Sequence, residues 1–144
     1  MIQDSIEISI VFIIIFVFFI NTVADVLRFI KEENRKMDPL KTWYLLIPFF
    51  NYIWYLYVII KVWQSLKNES ASRGLGNKHY PLLILGIISA VLLPINLIPT
   101  NDEQIFELFN RMQTVGFYSW LIIFIMLFIE KRKLIKLRSL ENSK

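Results

Sequence analysis

The sequence contains no cysteine and a single histidine, His79. Disulfides, thiolate nucleophiles and cysteine-ligated metals are thereby excluded, and one histidine does not make the ligand cluster that a metal site needs. Glycine is scarce, at four residues in 144. None of the four falls in a P-loop, a G-x-G-x-x-G turn or a G-x-S-x-G elbow, and H-E-x-x-H is missing as well. No two carboxylates stand at catalytic spacing inside an apolar run. A cofactor and an enzymatic activity are therefore not expected. Charge is thin, at 19% of residues against 56% hydrophobic, more apolar material than a soluble domain of this length requires. The stretch MIQDSIEIS, ahead of the first apolar run, holds Asp4 and Glu7 but no Lys or Arg. A secretory signal has a positive n-region and a small-residue cleavage site, so this run reads as a span rather than a leader.

What is abundant is long apolar sequence. Mean hydropathy is +0.50, and four runs approach the roughly 20 residues that carry a helix across a bilayer core of about 30 Å. The runs are continuous and rich in Ile, Leu and Phe, without the short alternating segments of a membrane β-barrel. The expected class is an all-α, multi-pass integral membrane protein forming a single domain over residues 1–144. Segment one covers 6–30. Near its far end Asn21, Asp25, Arg28 and Glu32 share one helix face. Ionisable groups at such depth face protein or water, so this stripe is a candidate polar site. An interfacial Asp25–Arg28 pair with a snorkelling Arg28 is the simpler and favoured account of it.

Segment two, 43–63, decides the topology. It reads WYLLIPFFNYIWYLYVIIKVW and carries three of the four tryptophans and four of the six tyrosines, spread through its middle. Those rings prefer the headgroup region. Pro48 removes a backbone donor and frees the carbonyl of Tyr44, for which Asn51 is a candidate partner. Segment three, 80–98, opens on Pro81 and carries Gly86 and Ala90, a small-residue face suited to helix contact. Pro94 and Asn96 disturb its end. Residues 101–112 read as a short amphipathic surface helix, with Thr100-x-x-Glu103 as a capping box and Ile105, Leu108, Phe109 and Met112 on one face. The last span, 113–129, follows, with Gly116 as a hinge. A basic tail, 130–144, carries Lys131, Arg132, Lys133, Lys136 and Arg138, suited to anionic headgroups.

The basic residues choose among topologies. If all four segments cross, they divide ten to six whichever way the chain is oriented. If segment two enters and leaves on one side, with the N-terminus outside, fifteen fall inside and only Arg111 outside, a strong positive-inside pattern. The expectation is three transmembrane helices plus a re-entrant or interfacial helical hairpin, with four transmembrane helices as the alternative. The C-terminus is then cytoplasmic. Because the basic residues flank apolar runs, the net charge of +4 points to membrane orientation and not to nucleic acid.

Ile47-Pro48, Asn51, Trp54, Ser65-Leu66, Glu69 and Arg73-Gly74 form a pattern that resembles one in small bacterial multi-pass inner-membrane proteins of no established activity. The resemblance covers under a quarter of the chain. It implies a bacterial inner-membrane location and adds no catalytic residue. Within the chain, Leu46-Ile47-Pro48-Phe49-Phe50-Asn51 is echoed by Leu92-Leu93-Pro94-Ile95-Asn96. Paired helix breaks of this kind flank binding sites in transporters; chance in a chain rich in Leu, Ile and Pro gives the same echo. The expected function is non-enzymatic, acting by association with membrane lipids, further copies of the chain or another membrane subunit. A small homo-oligomeric channel lined by Asn21, Asp25 and Arg28 is the second reading, and a small membrane enzyme of unnamed substrate the third.

Overall fold

The structure, a computed structural model, describes the backbone of residues 2–48, 50–76 and 79–143, and their side chains except at 2–9, 96 and 142. Among the described residues there is no strand. Four α-helices, α1 (Ile2–Phe29), α2 (Phe50–Ser72), α3 (Tyr80–Leu92) and α4 (Glu103–Asn142), are joined by three 3-10 segments, Glu32–Asn34, Pro39–Leu46 and Leu93–Leu97. Two stretches, Ile10–Phe29 and Glu103–Glu141, are long and apolar enough to cross a membrane, and Tyr80–Ile95 is a shorter apolar helix.

Helix ends follow local chemistry. Asp38 accepts from the Leu40 N–H at 2.8 Å, and Pro39, which has no N–H to satisfy, opens the second 3-10 segment. Helix α2 closes in a Schellman arrangement, with the Leu75 N–H on the Ser70 carbonyl at 2.8 Å and the Gly74 N–H on Ala71 at 3.1 Å. Gly74 sits there at φ +67°, where a side chain would strain the backbone. Asp102 caps α4, accepting from the Gln104 and Ile105 N–H groups at 2.9 and 3.2 Å. The expected capping residue, Thr100, instead accepts from the Asp102 N–H at 3.2 Å.

Helices α1 and α4 run parallel. Phe12 meets Phe117 and Phe18 meets Phe124, both at 6.1 Å between ring centres, and Asp25 meets Lys131 at 2.7 Å. Helices α2 and α3 run antiparallel: the hydroxyls of Tyr55 and Ser89 are 2.8 Å apart, Trp63 packs on Tyr80, and Ser70 Oγ is 2.8 Å from His79 Nε2. Phe19, Val23 and Leu27 of α1, Val58, Ile59 and Val62 of α2, Leu82 of α3 and Ile123 and Leu127 of α4 bury the core. Ile10 to Ile15 of α1, Ile84 and Val91 of α3 and Ile122 and Ile125 of α4 stay exposed, an apolar surface that water would not tolerate cheaply.

Segment two lies within a helical hairpin whose arms are longer than 43–63. The 3-10 arm 39–46 rises along α1, the chain breaks at Ile47–Pro48, and α2 returns. The Lys36 N–H donates to Ser65 Oγ at 2.8 Å and Asn34 Nδ2 donates to Glu69 at 2.7 Å, so both arms begin and end at the same end of the bundle. The division of the last third differs from expectation. The sequence marks off residues 101–112, 113–129 and 130–144 as a surface helix, a span and a tail; instead α4 runs unbroken over Glu103–Asn142. No proline interrupts it. Gly116 is not a hinge but a close-approach position, where a Cβ would lie 2.9 Å from Leu92 Cβ and 3.0 Å from the Leu93 nitrogen.

Candidate functional site

Two regions carry polar groups that packing alone does not explain. The first is a groove of about 700 Å³ at the hairpin tip, formed by Phe12 and Phe16 of α1, Leu46 and Pro48 of the tip, Leu93 after α3 and Phe117 of α4. Its lining carries no titratable side chain. Asn51 also lines it, and its Oδ1 is buried with no hydrogen-bond partner among the described residues. A buried, unpaired amide oxygen costs about 1–3 kcal/mol. The freed carbonyl of Tyr44, expected to recruit Asn51, takes the Ile47 N–H instead, at 3.1 Å. Beneath the groove a small cavity of about 70 Å³ leads to the Tyr55–Ser89 pair, and Ser89 also donates to the Gly86 carbonyl at 3.0 Å.

The second region is the end of the bundle at which the hairpin arms meet. Glu69, 2% exposed, is its hub. Oε2 accepts from Asn34 Nδ2 at 2.7 Å and from the Lys31 N–H at 3.2 Å; Oε1 accepts from Arg73 Nε at 2.7 Å. Arg73 then reaches Glu141 on α4 at 2.8 Å, and Lys31 Nζ lies 4.0 Å from the same carboxylate. Burial pushes the Glu69 carboxyl up, but hydrogen bonds from Asn34, Arg73 and the Lys31 N–H, together with the Arg73 charge, outweigh it and hold the group below its usual value. Nearby, burial pushes the His79 imidazole below its ordinary range, with Glu130 opposing and Lys133 reinforcing. This network ties the first connector, α2 and α4 together. Its helical spacing was present in the sequence, since Ser65, Glu69 and Arg73 recur every four residues on one face of α2.

The residues singled out from sequence divide between these regions. Pro48 and Asn51 line the groove, and Pro94 sits in the 3-10 segment that begins with its lining residue Leu93. The two echoed breaks thus meet at one place; the Asn96 side chain lies outside the described residues. Asn21 is half-buried. Asp25 is held between Arg28, at 3.1 Å, and Lys131, at 2.7 Å. The polar end of α1 therefore pairs with α4 and does not join the groove. Gly86 meets Ile59 of α2, where a Cβ would lie 3.3 Å from Ile59 Cβ. Ala90 packs against the core and lines the small cavity.

The five basic residues of the tail are not equivalent. Lys131 is engaged by Asp25, and Lys133 by Glu130 at 2.6 Å. Arg138 donates to the Arg28 carbonyl at 3.2 Å. Arg132 and Lys136 are exposed, Arg132 lying over the Phe128 ring. Comparison with protein-family models, with curated proteins and with solved structures returns no match.

Proposed function

We propose that this chain is an integral membrane protein with three spans, α1, α3 with its 3-10 extension, and α4, and that it works by association and not by catalysis. The hairpin 39–72 enters and leaves on the cytoplasmic face of a bacterial inner membrane, with the N-terminus outside. The observation that carries this reading is the joint anchoring of both hairpin arms, Asn34 to Glu69 and Lys36 to Ser65, at the end where α1 stops. The tip lies beside Phe16 and Leu93, well along α1. Helix α3 and its extension, 13 and 5 residues, climb about 30 Å together, enough for one crossing. The parallel course of α1 and α4 calls for an even number of crossings from the start of one to the start of the other, which α1 and α3 supply when the hairpin adds none. The exposed apolar belt fits lipid or a partner helix, and a groove without titratable groups offers association, not acid–base chemistry.

The missing cysteines make the test direct. Single substitutions Lys36→Cys, Gly76→Cys, Asp102→Cys and Ser143→Cys would be probed on intact cells with an impermeant thiol reagent. Labelling of the Asp102→Cys chain alone is expected. Labelling of the Lys36→Cys and Gly76→Cys chains from opposite sides would make 43–63 a crossing segment and overturn the hairpin. Native electrophoresis and cross-linking address the association; a monomer without bound lipid or partner would refute it.

A further inference from the structure

The end of a helix leaves carbonyls that need donors. At the end of α1 they are met in an unusual way. Arg35 Nη2 lies 3.4 Å from the Arg28 carbonyl and 3.2 Å from that of Ile30, and Arg138 Nη1 reaches the same Arg28 carbonyl at 3.2 Å. Two guanidinium groups from distant parts of the chain thus converge on one oxygen. Among the described residues neither has a carboxylate within ion-pair distance. Arg35 Nε is moreover buried with no partner. Two like charges held together at the edge of an apolar bundle repel, and a buried N–H without an acceptor adds its own cost.

A cavity of about 290 Å³ opens between them, walled by Phe29 and Ile30 and bordered by Lys31, Arg73 and Glu141. Glu32 completes the charges on its lining, four cations and two carboxylates, and Glu69, which pairs with Arg73 from outside it, leaves one positive charge in excess. Arg73 is already engaged by Glu69 and Glu141, which leaves Arg35 and Arg138 as the open donors. The partly negative C-terminus of α1 opposes an anion here. The carbonyls of Arg28, in its last turn, and of Ile30, just past its end, however, each hold a guanidinium nitrogen, and the local excess of cations outweighs the half charge.

We infer that this cavity binds the phosphate group of an anionic phospholipid. Guanidinium forks match phosphate oxygens bidentately. The cavity lies where the apolar run of α1 ends, which in the proposed topology is the headgroup level of the cytoplasmic leaflet, where basic pockets between helices hold lipid phosphates. The inference rests on that topology and adds to it a built site, distinct from diffuse attraction by the exposed Arg132 and Lys136.

The test uses the full chain in nanodiscs of phosphatidylcholine with and without phosphatidylglycerol, reading retained anionic lipid by native mass spectrometry. The wild type is expected to retain phosphatidylglycerol selectively. The Arg35→Gln/Arg138→Gln pair should weaken that retention about tenfold, as loss of a charged hydrogen bond implies. Arg132→Gln/Lys136→Gln should weaken it about twofold or less, as for exposed charges. Arg138→Gln alone, at an exposed position that leaves Arg35 on its carbonyls, should already weaken retention; if it does not, the shared pocket is wrong. Equal losses from the two double variants would reduce the site to diffuse charge and overturn it. Displacement of the lipid by inorganic phosphate would make free phosphate the ligand and overturn the lipid assignment. Absence of any anionic preference in the wild type would instead refute the headgroup reading as a whole.

Discussion

Removal of the Glu69 carboxylate is the sharpest perturbation that the packing offers. In Glu69→Ala three donors lose their acceptor: Asn34 Nδ2, the Lys31 N–H and Arg73 Nε. Two of these groups keep a second partner, because Asn34 also donates to Ser72 Oγ at 2.9 Å and Arg73 to Glu141 at 2.8 Å. Breaking a buried ion pair costs about 3–5 kcal/mol, and those retained partners place the loss near the lower bound, about 3 kcal/mol. Helix propensity does not obscure the result, since alanine is at least as good a helix former as glutamate. Glu69→Gln keeps one acceptor oxygen and loses the charge, for about 1–2 kcal/mol. The same residue sets an acid limit. The folded carboxyl titrates below its ordinary value of 4.5, so its contribution is complete above that pH and disappears as the pH falls through the folded-state value. Equilibrium unfolding in detergent micelles across about pH 3 to 7 reads both effects. Glu69→Ala within about 0.5 kcal/mol of the wild type, or an acid-induced loss just as steep in Glu69→Gln, would refute the assignment of Glu69 as the hub.

Two further outcomes are expected in the same assay. Gly86→Ala drives a methyl into the Ile59 side chain and should destabilise by about 1–3 kcal/mol, with Ile59→Ala in the same chain recovering part of the loss; strict additivity would place the contact elsewhere. Asn51→Leu removes an unpaired buried amide from an apolar groove and should be neutral or stabilising by about 1 kcal/mol, whereas destabilisation would mean that the amide has a partner in the membrane.

Much of the architecture was legible because long apolar sequence leaves few choices. The all-α class, the break at Pro48 and the close contact at Gly86 each follow from a backbone rule that holds locally. Asp25 was legible only in part: the Arg28 partner is three residues away, but Lys131 is on another helix and no periodicity announces it. Helix α4 misled for a related reason. Its composition changes twice, from amphipathic to apolar to basic, and those changes look like boundaries. Composition reports surroundings, however, and an uninterrupted helix passes through different surroundings without breaking. Gly116 suggested flexibility where its actual use is room for the Leu92–Leu93 backbone. Glu69 was visible as part of a pattern but not as a hub, because its partners Asn34 and Lys31 lie more than thirty residues away.

The hairpin raises a question of reach that Pro48 alone does not answer. From Ser65, opposite Lys36, α2 returns to the tip in fifteen α-helical steps, about 22 Å. The other arm has only twelve residues from Lys36 to Pro48, and as an α-helix it would climb about 18 Å and fall short. The 3-10 segment Pro39–Leu46 supplies the difference. Its eight residues rise about 16 Å, and the extended residues Asp38 and Ile47 at its two ends add about 3 Å each. A 3-10 arm would leave carbonyls poorly served in hydrocarbon. Here several find donors: Lys41 accepts from Trp54 Nε1 at 2.9 Å, Pro39 from Thr42 Oγ1 at 2.6 Å, and Ile47 from the Asn51 N–H at 3.0 Å. The tryptophan donor comes from the opposite arm, so the ring that sequence statistics assign to a headgroup layer here satisfies a backbone group inside the hairpin. The height of the tip along α1 is therefore set by two arms of unequal residue number matched in length, and Trp54 serves that match by closing one arm on the other.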